Sequence, residues 1–163
     1  MEEMLDGWVR VSHNRHGVTN YKDRFIGAGQ FIYEMLKPEE YFVFCTVRNP
    51  YNRFLSGLKY FKHTSKLPTT VQFWNKNKDR MRFWVHEHVM ATQCEILGEL
   101  VPDYVMHLET IEDDFKLLRA RFGIKKPMPK LNSYSEGDLN EYQIKYVNKN
   151  FAEDFERFGY ECR

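Results

Sequence analysis

One segment of the chain combines residue types that bind anions at a spacing that brings them together. An apolar run, residues 41–47, is followed by Arg48, and Asn49 and Pro50 then form a strong helix-start signal. Ser56 lies seven residues after Asn49 and three after Arg53, so these three side chains share one face of the predicted helix. A helix N-terminus binds anions through its free N–H groups and its dipole, so one interpretation of this spacing is that Arg48, the helix start and Ser56 converge on one phosphate. The alternative is an ion pair at Arg48 and a packed Ser56 with no ligand.

Residues 42–57 resemble the 3′-phosphate segment of sulfotransferases that use 3′-phosphoadenylyl sulfate (PAPS), especially the Golgi carbohydrate sulfotransferases and their small bacterial and phage relatives. That segment reads as an apolar strand, V-R-[ND]-P, an aromatic residue, a second Arg and a Ser. The resemblance implies that Arg48 and Ser56 bind the 3′-phosphate of PAPS. Looser matches, which extend the resemblance over about residues 40–160, are found at His86-Glu87-His88 with Gln93, at 109–115, at 129–133 and at 146–160.

A second segment, residues 8–22, resembles the strand–loop–helix element with which the same family binds the 5′-phosphosulfate. In this alignment Arg15 takes the position of the family's Lys, Gly17 lies in the turn and Thr19 starts the helix. The loop residues that would bind the cofactor are Arg15, Gly17, Val18, Thr19 and Asn20. Arg is not a simple replacement for Lys, and the Pro that precedes this Lys in the family is absent here. A competing alignment places residues 16–19 on a histidine loop of the family, in which case the 5′ loop is missing.

The resemblance implies transfer of a sulfuryl group from PAPS to a hydroxyl of a small-molecule or glycan acceptor, without a metal. Such a transfer needs cations for the departing phosphate and a base for the acceptor proton. The predicted catalytic residues are Arg15, His88 and His16, with His88 preferred as the base because its helix faces the cofactor edge in the family's layout. Glu87 and His86 are further candidates. The alternative function is an inactive or truncated sulfotransferase-like module that binds a nucleotide or a glycan.

The elements that must position these residues alternate between strands and helices, which indicates a three-layer α/β domain with a parallel sheet. The resemblance makes this sheet P-loop-NTPase-like, flanked by helices, with a helix-rich C-terminal half in a single domain, residues 1–163. The run 41–47 is typical of a parallel strand buried on both faces. Strands are predicted at 8–12, 41–47 and 103–108, and helices from Thr19, from Asn49, at 70–78, at 81–97 with Gly98 as its C-cap, from Glu109 with Gly123 as its C-cap, at 138–148 and at 151–158.

Composition limits the classes of partner. The 163 residues carry 24 Lys and Arg against 23 Asp and Glu, a net charge of +1 that argues against a nucleic-acid binder. No apolar run is long enough to span a membrane, and the acidic N-terminus lacks the features of a signal peptide. The three cysteines form neither an even disulfide framework nor a CxxC pair, so a cytoplasmic location is expected.

Overall fold

The computed structural model describes residues 18–21, 24–27, 41–64, 76, 89–125 and 137–163. Within these ranges the chain mixes strands with helices, as predicted. The strands are β1 (Val18–Tyr21), β2 (Arg24–Gly27), β3 (Phe44–Val47) and β4 (Tyr104–His107). The helices are α1 (Pro50–Thr64), α2 (Gln93–Leu97), α3 (Ile111–Phe122), α4 (Glu141–Asn150) and α5 (Ala152–Phe158), with a 3₁₀ turn at Leu108–Thr110 before α3. The predicted strand at 8–12 and the predicted helix at 70–78, apart from residue 76, lie outside the described residues.

Strands β3 and β4 pair in parallel, which confirms the predicted orientation. Phe44 lies opposite Tyr104, and Val47 lies opposite His107. The Asp103 side chain extends the pairing, because its Oδ2 accepts a hydrogen bond of 2.7 Å from the Val43 N–H. Both strands therefore end at the same edge, where their following residues can meet.

The predicted burial of β3 on both faces is wrong. Val47 is buried, whereas Phe44 and Thr46, on the opposite face, are exposed. The buried face packs on α2 and α5 in a cluster that we call the sheet core: Val47, Cys94, Leu97, Leu100 and Phe158. The other face is covered unevenly: Met106 of β4, opposite Thr46, is buried, and α3 packs against β4, whereas β3 is left exposed there.

The helix predicted from Thr19 is also wrong, because this segment forms a β-hairpin. Strands β1 and β2 pair antiparallel, with Val18 opposite Gly27 and Tyr21 opposite Arg24. The segment is rich in β-branched and aromatic residues, which favour extended backbone over helix. Thr19, predicted to start a helix, thus lies within a strand.

The helix predicted at 81–97 is interrupted in its described part. Residues 89–90 form a π-helical turn, and α2 then starts afresh at Gln93. The interruption has a local cause, a capping box at Thr92. The Thr92 hydroxyl accepts from the Glu95 N–H at 2.9 Å, and the Glu95 carboxylate accepts from the Thr92 N–H at 2.7 Å. These bonds satisfy N–H groups that a helix start would otherwise leave unpaired.

The remaining helices lie close to their predicted positions. Helix α3 ends at Gly123, whose φ of +65° is the left-handed conformation expected of a glycine C-cap. Helices α1, α4 and α5 pack around a second cluster, the helical core: Tyr51, Phe54, Leu58, Val89, Leu139, Val147, Phe151 and Phe155. Tyr160 packs against both cores, so it joins the strand edge to the helices.

Candidate anion-binding site

Arg48 is the first residue after β3 and lies at the edge where both parallel strands end. Its backbone is fixed on both sides by the Gln93 side chain: the Arg48 N–H donates to Gln93 Oε1 at 2.7 Å, and Gln93 Nε2 donates to the Arg48 carbonyl at 2.9 Å. The residue as a whole is half-buried. Its position at the carboxyl end of a parallel strand is one where α/β proteins commonly bind ligands.

The start of α1 forms as predicted, but its own cap already uses part of its hydrogen-bonding capacity. Asn49 Oδ1 accepts from the Tyr51 N–H at 3.0 Å, and Pro50 has no N–H to offer. The Asn49 N–H donates to Glu109 Oε1 at 2.9 Å. The helix start therefore has few free backbone N–H groups, and the predicted phosphate contacts fall mainly on the Arg48 and Ser56 side chains.

Glu109 and Tyr160 shape the electrostatics around Arg48. The Tyr160 hydroxyl donates to Glu109 Oε2 at 3.0 Å, so both oxygens of this carboxylate are hydrogen-bonded. Burial lowers the pKa of Arg48, and the negative charge of the Glu109 carboxylate offsets part of this effect. Burial and the hydrogen bond to Glu109 raise the pKa of Tyr160. Because arginine stays protonated in proteins, Arg48 supplies a cation beside a neutral phenol and a carboxylate.

Ser56 lies in α1 and is half-buried, so its position on a helix is confirmed while its role remains a prediction. Ser56 lies six positions after Pro50, a rise of about 9 Å along the helix. An anion that contacts both Arg48 and Ser56 would therefore lie beside the first two turns of α1.

Arg53, on the predicted common face, lies within electrostatic range of two protein carboxylates, Asp154 and Glu95. Burial lowers its pKa, and Asp154 and then Glu95 offset part of this effect. Its Nη1 is buried, and no hydrogen-bond partner reaches it among the described residues. We therefore assign Arg53 to the charge balance of the interior.

A second polar cluster surrounds His107 at the end of β4. The His107 N–H donates to Asp114 Oδ2 at 2.7 Å, and the Thr110 hydroxyl donates to the same oxygen at 3.0 Å. The imidazole Nε2 lies 3.2 Å from the Phe158 carbonyl, and the ring packs edge-to-face on Tyr160 with centroids 5.5 Å apart. These contacts place Tyr160 between His107 and Glu109.

The described residues contain only part of the predicted site. Arg48 lies at the strand edge and Ser56 on the following helix, whereas Val18, Thr19 and Asn20 lie in strand β1. The other predicted catalytic and cofactor-binding residues, Arg15, His16, Gly17 and His88, lie outside the described residues, as do the candidate bases His86 and Glu87. The predicted PAPS contacts of all these residues stay predictions.

No group of three or more His, Cys, Asp or Glu side chains in the described part of the chain is placed to hold a metal ion. None of the helices described here has the length and apolar character to cross a membrane.

Three residues at the site had no role assigned from the sequence: Gln93, Glu109 and Asp154. Each lies in a segment that resembles the sulfotransferases, and their partners are between 45 and 61 residues away. A sequence signal existed for one of them, since the T-x-x-E pattern at Thr92 starts the helix that carries Gln93.

Comparisons of this chain with models of protein families, with curated proteins and with solved structures found no match.

Proposed function

We propose that this protein is a PAPS-dependent sulfotransferase with a P-loop-like parallel sheet, which sulfates a hydroxyl of a small-molecule or glycan acceptor. One observation carries the proposal: Arg48 lies at the end of a parallel strand, and the next helix carries Ser56. This arrangement supports the role that the resemblance of residues 42–57 implies for both side chains. A half-buried guanidinium and a half-buried hydroxyl also suit the chemistry of a phosphate dianion, which accepts hydrogen bonds from both.

In this function the chain orients PAPS and the acceptor for an in-line transfer. The bond between sulfur and the bridging phosphate oxygen breaks, a bond between sulfur and the acceptor oxygen forms, and the acceptor proton passes to a base. Arg48 and Ser56 bind the 3′-phosphate, which is remote from the reacting sulfur, so they contribute by positioning the donor. His88, or alternatively His16, takes the proton, and Arg15 stabilises charge on the leaving phosphate.

Binding of adenosine 3′,5′-bisphosphate, measured by isothermal titration calorimetry, tests the proposal. We expect the intact chain to bind and Arg48→Ala to bind about 10- to 100-fold more weakly, because charge-assisted hydrogen bonds contribute about 1.5–3 kcal/mol. Ser56→Ala is expected to lose less, up to about tenfold, because it removes a neutral donor. Arg121→Ala, which removes an exposed arginine stacked on Phe42, is the matched control and should bind like the intact chain. Absence of binding by the intact chain, or unchanged binding by Arg48→Ala, would contradict the proposal.

A second candidate function is a sulfotransferase-like module that binds nucleotide or glycan without turnover. The hairpin of β1 and β2 favours it, since the predicted 5′-phosphosulfate element requires a helix starting at Thr19. Transfer of radiolabelled sulfate from PAPS to a panel of mono- and oligosaccharides separates the two. Any transfer that depends on Arg48 rules out the module without turnover.

A further inference from the structure

The backbone of Arg48 is held by a side chain. Strand β3 ends at Val47, and the next peptide groups bond to the Gln93 amide, at 2.7 Å through the Arg48 N–H and at 2.9 Å through the Arg48 carbonyl. The amide thus takes the place of a neighbouring strand at this one residue. Because both backbone groups of Arg48 are fixed, the direction in which its side chain leaves the backbone is fixed as well.

Gln93 is in turn oriented by the buried carboxylate of Asp154. Asp154 is 0% exposed. Its Oδ2 accepts from the Gln93 N–H at 2.9 Å and lies 3.4 Å from Gln93 Nε2, while its Oδ1 accepts from the Cys94 N–H at 2.8 Å. A carboxylate only accepts hydrogen bonds, so it requires the NH₂ end of the amide on its side. That requirement leaves Gln93 Oε1 facing the Arg48 N–H.

The negative charge of Asp154 lies near the positive charge of Arg53. Arg53 interacts electrostatically with Asp154, and it belongs to the helix that begins two residues after Arg48. The hydrogen bonds therefore connect α5 and α2 to the end of β3, and the charge of Arg53 on α1 lies within electrostatic range of Asp154. Substitution of Asp154 would remove the hydrogen bonds that orient Gln93, and substitution of Gln93 would remove those that fix the backbone of Arg48.

We propose that Gln93 and Asp154 are positioning residues, which orient Arg48 for the 3′-phosphate of the nucleotide. The inference rests on the proposed function, because it assigns these residues to the same ligand. The benefit is pre-organisation: an arginine whose backbone is already ordered loses less conformational freedom when the phosphate binds. Neither residue contacts the ligand in this arrangement.

Gln93→Met tests the proposal, because methionine has nearly the same length but cannot hydrogen-bond to Arg48. We expect this variant to bind adenosine 3′,5′-bisphosphate about tenfold more weakly by calorimetry. Its affinity for adenosine 5′-phosphate, which lacks the 3′-phosphate, should stay unchanged, a selectivity that a general loss of structure would not produce. Gln143→Met is the matched control: Gln143 also hydrogen-bonds a backbone N–H, that of Asn140, but in the capping box of α4.

A double-mutant cycle with Arg48→Ala separates positioning through Arg48 from an independent effect. Once Arg48 is absent, Gln93→Met should cost no further affinity for adenosine 3′,5′-bisphosphate. Asp154→Asn, which keeps the shape of the side chain, is the second variant in case Gln93→Met does not fold, and it should show the same selectivity.

The possible results are distinguishable. Suppose that the intact chain binds adenosine 3′,5′-bisphosphate. If the variants then lose affinity for both nucleotides equally, or lose none, or lose further affinity on top of Arg48→Ala, the positioning role is overturned and the proposed function stands. If the intact chain does not bind adenosine 3′,5′-bisphosphate, the proposed function is overturned and the positioning role with it.

Discussion

At the scale of single residues, Asp154 is a fully buried side chain whose stability depends on its hydrogen-bond partners. It is fully buried and ionisable, and it accepts hydrogen bonds from the backbone N–H groups of Gln93 and Cys94. Groups of this kind stabilise a fold only while all their partners are present, because an unpaired buried charge or donor is costly.

We therefore expect Asp154→Ala to lower the free energy of unfolding by about 3–5 kcal/mol, since it leaves the N–H groups of Gln93 and Cys94 without their acceptor and removes one of the two carboxylate charges that act on Arg53. Glu153→Ala is the control, because Glu153 is an exposed carboxylate in the same helical turn. It should change stability by less than about 1 kcal/mol. Urea denaturation followed by circular dichroism measures both, and equal losses would contradict the role given to Asp154.

The cysteines provide a second prediction at this scale. Burial raises the pKa of the Cys45 thiol to about 11. The pKa of the Cys94 thiol is raised to about 12, mainly by burial and then by its hydrogen bond to Asp154. A raised thiol pKa keeps the group protonated at pH 8, and the protonated thiol is a poor nucleophile. Cys162 is exposed.

A disulfide reagent at pH 8 should therefore modify Cys162 rapidly and the two other thiols only after unfolding. Absorbance of the released thiolate, recorded with and without guanidinium, counts the reactive groups. Cys162→Ser should abolish the rapid phase; a rapid phase that survives this substitution would show that the Cys45 or the Cys94 thiol is accessible in the folded chain.

Residue types and spacing were enough to predict where Arg48 and Ser56 lie, because both depend on a strand and a helix encoded within one short segment. The contacts that orient Arg48 could not be predicted in this way. Gln93 and Asp154 are remote in sequence and meet Arg48 only after α2 and α5 have packed.

At the scale of elements, hydrogen bonds at helix starts decide where α1, α2 and α4 begin. Asn49, Thr92 and Asn140 each accept a backbone N–H from the first turn of the helix that follows. The prediction of one continuous helix at 81–97 is wrong at Thr92, because the periodicity of apolar residues does not reveal a capping box.

Thr92→Ala should reduce stability by about 1 kcal/mol, the typical loss of an N-cap. Thr110→Ala is the matched control, since Thr110 occupies the N-cap position of α3 without a capping hydrogen bond and bonds only the Asp114 carboxylate at an exposed position. Its loss should be smaller. The midpoints of thermal unfolding measure the difference, and a larger loss at Thr110 would refute this interpretation of Thr92.

The hairpin shows the limit of helix signals in short segments. Thr19 is a good N-cap residue by type, yet the residues around it favour strands, and pairing of β1 with β2 satisfies their backbone groups. Whether a second strand is present to pair with it cannot be predicted from one segment alone.

At the scale of the whole molecule, the helical core holds α1, and with it Ser56, against the closing helices. Phe54, Val147 and Phe151 are all 0% exposed, and Phe54 packs edge-to-face on Phe151 with centroids 6.0 Å apart.

The parallel orientation of β3 and β4 was predictable from the alternation of strands and helices. The exposed face of β3 was not, because burial depends on which helices cover the sheet.

Two leucines test how strongly this core stabilises the molecule. Leu58 in α1 is 4% exposed, whereas Leu117 in α3 is 64% exposed. Leu58→Ala should cost about 2–5 kcal/mol because it leaves a cavity, and Leu117→Ala should cost less than about 1 kcal/mol. Denaturant unfolding measures both losses, and similar values would show that α1 is not anchored by the helical core.

The bonds between α1 and the closing segment also set the order in which the chain can fold during synthesis. The Arg163 N–H donates to the Tyr51 hydroxyl at 2.6 Å across 112 residues of sequence, and Tyr51 also donates to Asn148. Helix α1 is translated before α4 and α5, so most residues of the helical core that pack on its apolar face are still absent when α1 leaves the ribosome. Because these contacts join residues so distant in sequence, we expect this part of the helical core to form late in folding.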